Sequence, residues 1–260
     1  MAKCYGELGI VAIGTGLACD TDVHDFHRLL HPDLLISTSG RLIEGISLDE
    51  QKAARYKING FFSEYKVLKE RFGKDASTLM RLRACLFSCT SASLAGPMGY
   101  DQELCREIEE VSGCEHGLTT TTAVLTAFRT MGVRGLSIVT PYPDEVADQE
   151  KIYFEQAGFP CVNINNLPSP DVINPFWIMH QDPEFIKRFA VEHFDKRADC
   201  LFLSCTGLCV LDIIKPLEDE LGVPVLTSNQ CAAWYIGEIL DARRPENAAQ
   251  YGCLFDHRLG

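Results

Sequence analysis

Short apolar runs of strand length alternate with helix-length runs over almost the whole chain, and this alternation constrains the fold more than any other feature. The apolar runs are Leu8–Ile13, Leu34–Ser37, Ala84–Ser88, Leu136–Thr140, Cys161–Ile164, Leu201–Ser204 and Val223–Leu226. They are short and mainly apolar, as strands covered on both faces are. Between them the pattern predicts helices over Val23–Leu30, Asp49–Arg71 with a break near Gly60, Tyr100–Val111, Thr121–Met131, Glu145–Ala157, Pro183–His193, Asp212–Leu221 and Ala232–Leu240. A repeated strand-then-helix order implies βα units and a parallel sheet, so the fold class is α/β. Thr119 to Thr122 supply N-caps for the helix that begins there. Gly132, Gly158 and Gly222 each stand where a helix must end before the next strand.

At 260 residues the chain is long enough for one large α/β domain or two small ones, each with its own core. Hydrophobic residues are 46 % and charged residues 23 %, which is globular and not disordered usage. No apolar run reaches the roughly 18 residues of a membrane span, and the N-terminus lacks the pattern of a signal peptide. Cytoplasmic residence is therefore expected. A net charge of −12 disfavours nucleic acid or an anionic membrane surface as partner. It leaves room for a small anionic substrate, because local helix ends bind anions on an acidic protein. Twelve cysteines in a chain this long read as free thiols in a reducing compartment, without the C-x-x-C spacing of zinc fingers.

Two of those thiols stand apart. Ser88-Cys89-Thr90-Ser91 and Ser204-Cys205-Thr206-Gly207 each follow an apolar strand, 116 positions apart. The echo suits two similar α/β halves. We divide the chain into a first domain of residues 1–115 plus 228–260 and a second of residues 116–227. Ligands of open parallel sheets bind beyond the carboxyl ends of the strands, where both cysteines are placed. The hydroxyls of Thr90, Ser91 and Thr206 are neutral donors, and Gly207 lets a ligand approach the backbone. Each motif reads as an anion cradle carrying a thiol. Two such cradles facing one another can move a proton from one face of a carbon to the other, or let one thiolate attack while the other handles the proton. A non-catalytic binding or thiol-redox protein is the contrasting reading.

Other signals are weaker. Gly14-Thr15-Gly16 follows the first strand, but Cys19 occupies the third glycine position of a dinucleotide fingerprint. Thr15 and Gly16 therefore read as a loop over the substrate. Tyr142, held between two prolines past a strand, reads as a hydroxyl donor to a substrate carboxylate. His24, His27 and His31 have helical spacing but no partner ligand, so no metal is expected. Asp20, Asp22 and Asp25 are expected to complement the helix dipole. Trp177 and Trp234 read as packing residues.

Taken together, several stretches resemble one known group. They are Phe202–Leu208 continuing through Leu211–Ile214, Leu221–Val225 and Thr227–Gln230 to Trp234; Thr122–Ala127, Met131–Arg134 and Val139–Asp144; and His31–Asp33, Ser88–Ser91 and Tyr251–Asp256. They resemble the aspartate/glutamate racemase superfamily in its maleate isomerase and arylmalonate decarboxylase branch. The resemblance implies two Rossmann-like domains with parallel sheets, related by pseudo-twofold symmetry, with the substrate site in the cleft between them. It implies no metal and no organic cofactor, a small carboxylate or dicarboxylate substrate, and a possible homo-oligomer. In maleate isomerases the cysteine matching Cys89 attacks the double bond and the one matching Cys205 exchanges the proton; in the racemases the pair acts on opposite faces of a carbon. Arylmalonate decarboxylases have glycine in place of Cys89 and keep the second cysteine as proton donor, with a carboxylate pocket matching Thr90, Ser91, Tyr142, Cys205, Thr206 and Gly207, although glycine is usual at the Thr206 position. Maleate isomerases bind a substrate carboxylate with an asparagine near the position of Gly16, and Asn165 or Asn166 matches another substrate-binding asparagine. Two cysteines point to an isomerase or racemase, and the overall similarity, the tail above all, points to a decarboxylase of substituted malonates. Both readings stay open.

Overall fold

The computed structural model describes residues 9–16, 20–30, 34–41, 49, 67, 70–74, 81–170, 174–242, 244–245 and 247–260. Eight strands form two four-stranded sheets among the described residues. The first holds β1 (Gly9–Gly16), β2 (Leu34–Arg41), β3 (Leu82–Ser88) and β4 (His116–Thr119) in the order β2-β1-β3-β4. The second holds β5 (Leu136–Thr140), β6 (Cys161–Asn166), β7 (Cys200–Leu203) and β8 (Val225–Thr227) in the order β6-β5-β7-β8. Every pairing is parallel, and the two sheets repeat one strand order. The expected α/β class and parallel pairing are observed.

The described residues include the helices α1 (Asp20–Leu29), α2 (Thr90–Ser93), α3 (Tyr100–Ser112), α4 (Thr120–Met131), α5 (Asp144–Gln156), α6 (Pro175–Met179), α7 (Pro183–His193), α8 (Ile214–Leu221) and α9 (Ser228–Ile239). The caps follow the sequence logic. The Thr119 side chain accepts the N–H of Thr122 at the start of α4, and Gly132 closes that helix at φ 65°. Helix α9 begins four residues before the expected Ala232, because Thr227 and Gln230 form a reciprocal capping box that starts it directly from the strand. The first turn of the expected helix at Asp212 is a tighter 3-10 turn, Leu211–Ile213. The expected helix Asp49–Arg71 lies largely outside the described residues.

Strand β4 was not anticipated. Its four residues include His116 and Gly117 and lack an apolar run, yet they pair with Ala84 to Phe87 and join the first sheet. Helix α4 then leaves that sheet and packs against the second. There Phe128 meets Phe154, Phe159 and Phe202 edge-to-face, with centroids 5.4, 5.3 and 5.2 Å away. Such contacts add to the burial of large aromatic faces. Through Phe202 they tie α4 to β7, the strand whose end leads to Cys205. No described helix is long and apolar enough to cross a membrane.

Candidate active site

Cys89 caps α2 in an extended conformation directly after β3. Cys205 follows β7 by two residues and takes φ 136°, a region nearly reserved for glycine. Ser228, the first residue of α9, links the two. Its Oγ accepts the Thr90 hydroxyl at 2.8 Å and the backbone N–H of Cys205 at 3.1 Å. One side chain thus ties the residue after the first cysteine to the backbone of the second.

Each sulfur sits among donors. Cys89 Sγ receives the N–H of Ala92 and lies 3.7 Å from Ser91 Oγ. Cys205 Sγ receives the N–H of Gly207 at 3.4 Å and the hydroxyl of Tyr142. Burial nevertheless pushes both thiols up, Cys205 to about 12, so both are neutral without a ligand. Tyr142 is buried and its hydroxyl is pushed well above its ordinary range, first by burial and then by the neighbouring Cys205, Glu150 and Cys89. It therefore remains a proton-bearing donor within electrostatic reach of both thiols.

Helices α1 and α5 hold this centre from two sides. On α1, Thr21 Oγ1 donates to the carbonyl of Gly207 at 3.3 Å. Asn229 Nδ2 joins Asp25 Oδ2 at 2.9 Å to the carbonyl of Thr206 at 3.0 Å. On α5, Gln149 Nε2 donates to the carbonyls of Leu94 and Gly96 at 3.0 and 3.1 Å, and Tyr153 donates to Asp101 Oδ1 at 2.6 Å. A helix that follows the first sheet thus grips the second motif, and a helix that follows β5 grips the segment after the first. The threonines at the head of α4 add Ser93 Oγ to Thr121 Oγ1 at 2.7 Å.

Of the residues read from sequence, Cys89, Thr90, Ser91, Tyr142, Cys205, Thr206 and Gly207 come together here, all but Cys205 buried. The backbone of Thr15 pairs alongside Ser88, and Gly16 pairs with Arg41 at the end of β1. Asn165 and Asn166 stand at the carboxyl end of the edge strand β6 with their amides turned elsewhere. Asn165 Nδ2 donates to the carbonyl of His193 at 3.5 Å, and Asn166 Nδ2 donates to Asp144 at 2.8 Å. Neither is bonded to a cysteine motif.

With this geometry in view, the sequence profile described as arylmalonate decarboxylase matches residues 59–255. The chain belongs to the arylmalonate decarboxylase family. It is 26 % identical over 196 residues to the arylmalonate decarboxylase of Bordetella bronchiseptica, covering 74 % of this chain and 80 % of that one. It is 23 % identical over 191 residues to the maleate isomerase of Geobacillus stearothermophilus, covering 69 % and 73 %. In fold it is similar to a Nocardia farcinica maleate cis-trans isomerase mutant with a covalently bound succinylcysteine intermediate, at a TM-score of 0.77 and 19 % identity over 95 % of this chain and 97 % of that chain. The superfamily branch read from the motifs is thus the right one.

Three buried carboxyl groups beside the cysteine motifs are not part of the sequence reading of the site. Asp22 and Asp25, read from sequence as complements to the helix dipole, are both buried. Asp22 is pushed up to about 7 and Asp25 to about 6, in each case by burial. Glu150 is fully buried and pushed up to about 8 by burial, while the Ser204 hydroxyl donates to its Oε1. A signal existed. Glu150 lies in the apolar stripe Val146, Ala147, Tyr153 and Phe154 of α5, and Asp22 lies in line with Phe26 and Leu29 of α1. A carboxyl group in a core-facing stripe is the informative exception.

Proposed function

We propose that this protein is a cofactor-independent isomerase or racemase of a small carboxylate, with Cys89 and Cys205 as its two proton-handling or nucleophilic thiols. The observation that carries this reading is the shared neighbourhood of the thiols: Ser228 bonds to both motifs and Tyr142 acts on both sulfurs. The succinylcysteine of the Nocardia isomerase supports attack by a thiol in this fold. In this reading the substrate carboxylate takes hydrogen bonds from Thr90, Ser91, Tyr142, Thr206 and the backbone at Gly207, beside the end of β1, where Thr15 and Gly16 belong to the strand and not to the expected loop. One thiol gives up its proton, and the thiolate removes a proton from the substrate or adds to its double bond. The other thiol delivers a proton to the opposite face. Negative charge that spreads onto the carboxylate is met by donors already in place, which is how fixed dipoles lower a barrier. Asn165 and Asn166 would reach the substrate only after releasing His193 and Asp144. The domain boundary expected after residue 115 moves past β4, which pairs with β3, so we place the substrate between residues 1–119 plus 228–260 and residues 120–227, related by a pseudo-twofold axis. A reducing cytoplasm fits the free thiols, and assembly into a homo-oligomer fits the branch.

A second reading is a lyase of substituted malonates. The family profile and the Bordetella relative favour it. Loss of carbon dioxide would leave an enediolate, and the Cys205 thiol would protonate it, with Cys89 dispensable. Incubation in deuterated water with maleate, aspartate, glutamate, hydantoins and aryl malonates, followed by proton NMR, separates the two. Isomerisation or solvent exchange that is lost in both Cys89→Ala and Cys205→Ala supports the two-thiol reading. Carbon dioxide release that survives Cys89→Gly replaces it with the lyase. Full activity in the double Cys→Ala variant ends both.

A further inference from the structure

Two buried carboxyl groups remain unused by the two-thiol reading, one next to each cysteine motif. Asp22 and Glu150 have no exposed surface. The Ser204 hydroxyl donates to Glu150 Oε1, and Oε2 has no partner. Asp22 Oδ1 accepts the N–H of Val23 at 2.8 Å; the Ser88 hydroxyl lies beside the carboxyl, but neither it nor Asp22 Oδ2 closes a hydrogen bond. Ser88 and Ser204 immediately precede the two cysteines.

The helices match as well. Thr21, Asp22 and Asp25 on α1, and Gln149, Glu150 and Tyr153 on α5, have the same spacing. In each set the outer residues bond across the site, Thr21 to Gly207 and Asp25 to Asn229 on α1, Gln149 to Leu94 and Gly96 and Tyr153 to Asp101 on α5, and the middle one is a carboxyl group beside the serine before a cysteine. No lysine or arginine is among the described groups acting on either carboxyl. The groups that face Asp22 are Ser88, Cys89 and its own helix neighbour Asp25, with His24 beside the latter. Those that face Glu150 are Ser204, Cys205, Tyr142 and Cys161. An uncompensated carboxyl group is costly to bury, and an apolar residue would fill either place at lower cost. Their common feature is a thiol within electrostatic reach.

We propose that Asp22 and Glu150 are positioning residues that set the charge of the thiol beside each: as carboxylates they hold Cys89 and Cys205 protonated, and as neutral acids they let each ionise. This rests on the two-thiol reading for its purpose, since such chemistry needs one thiol to keep its proton while the other loses it. The physical basis is repulsion between like charges in a poorly solvated site, which disfavours the second charge.

The test follows the thiols directly and needs no substrate. The full-length protein is labelled with iodoacetamide over a pH series, and the rates at Cys89 and Cys205 are read peptide by peptide by mass spectrometry. Only the thiolate reacts. Glu150 is neutral below its titration near pH 8 and charged above it. The Cys205 rate of Glu150→Gln, relative to wild type, is therefore expected to be close to one at about pH 6.5 and to rise to about tenfold at about pH 9.5, the effect of a one-unit shift. Cys89 stays unchanged. Asp22→Asn is expected to do the same for Cys89, with the rise centred about one unit lower, near pH 7. Glu150→Asp restores the wild-type pattern. If Glu150→Gln does not fold, Ser204→Ala serves instead: it keeps the carboxyl and removes its donor, so Glu150 stays neutral to higher pH and the Cys205 rate gains only just above pH 8. A rate change equal at every pH, equal on both thiols, or absent overturns the proposal. Failure of the two-thiol reading would appear separately, as turnover that survives loss of the cysteines.

Discussion

Replacing Ser228 with alanine removes one oxygen and strands two donors. The Cys205 N–H, held at 3.1 Å, loses its acceptor, as does the Thr90 hydroxyl, held at 2.8 Å. A buried N–H left without an acceptor costs about 1–3 kcal/mol, and a hydroxyl that can rotate toward another partner costs about 0.5–1.5 kcal/mol. Together they predict a loss of about 2–4 kcal/mol. For a chain of this size that is a fall in melting temperature of about 5–10 °C. The conformation of Cys205 modifies the outcome. Its φ of 136° stores about 1–3 kcal/mol, and the bond to Ser228 holds the backbone there. If the loop relaxes once released, part of the loss is regained, but the sulfur moves away from Tyr142 and Gly207. Thermal melting read together with iodoacetamide labelling of Cys205 catches both cases: a large fall with labelling unchanged, or a smaller fall with labelling altered. A Ser228→Ala protein that melts within about 1 °C of wild type and labels at the wild-type rate would refute the linking role of Ser228.

Three further outcomes are expected. Cys205→Gly relieves the left-handed backbone while Cys205→Ala does not, so the glycine variant should melt above the alanine variant by about 1–3 kcal/mol of stability; equal melting temperatures would show that the backbone is not strained. Glu150 has its folded-state pKa raised from 4.5 to about 8 by burial. Its contribution is greatest when it is protonated and declines as pH rises through that window. Wild type should therefore lose stability relative to Glu150→Gln between about pH 4.5 and pH 8 and level off above, which urea unfolding at a series of pH values will test. Thr119→Ala removes the side chain that accepts the Thr122 N–H at the head of α4, costing about 1 kcal/mol; a melting temperature unchanged by the substitution would argue against the cap.

Most strands, the parallel pairing, both ends of α7 and the glycine-closed ends of α4 and α8 were legible because local chemistry alone sets them. A buried strand must be apolar, a helix needs an oxygen at its start, and a tight stop favours glycine. The cysteine motifs were legible because a thiol, hydroxyls and glycine stand together at strand ends. Strand β4 was not, since His116 and Gly117 become a strand only by pairing with β3. The role of Ser228 was hidden for a related reason. Its partners lie 138 and 23 positions away, and no local pattern carries that distance. The burial of Asp22 and Glu150 is legible in the apolar stripes they occupy, although an aspartate near a helix start equally fits a dipole role.

The side chains that α1 and α5 send across the site bear on how the molecule comes apart. Asp101 and Tyr153 are buried polar partners from opposite sides, and Thr21 and Gly207 are another such pair. Melting either sheet would strip partners from buried groups in the other. Loosening therefore spreads rather than stopping at a boundary, and heat or denaturant should take both sheets down in one cooperative transition.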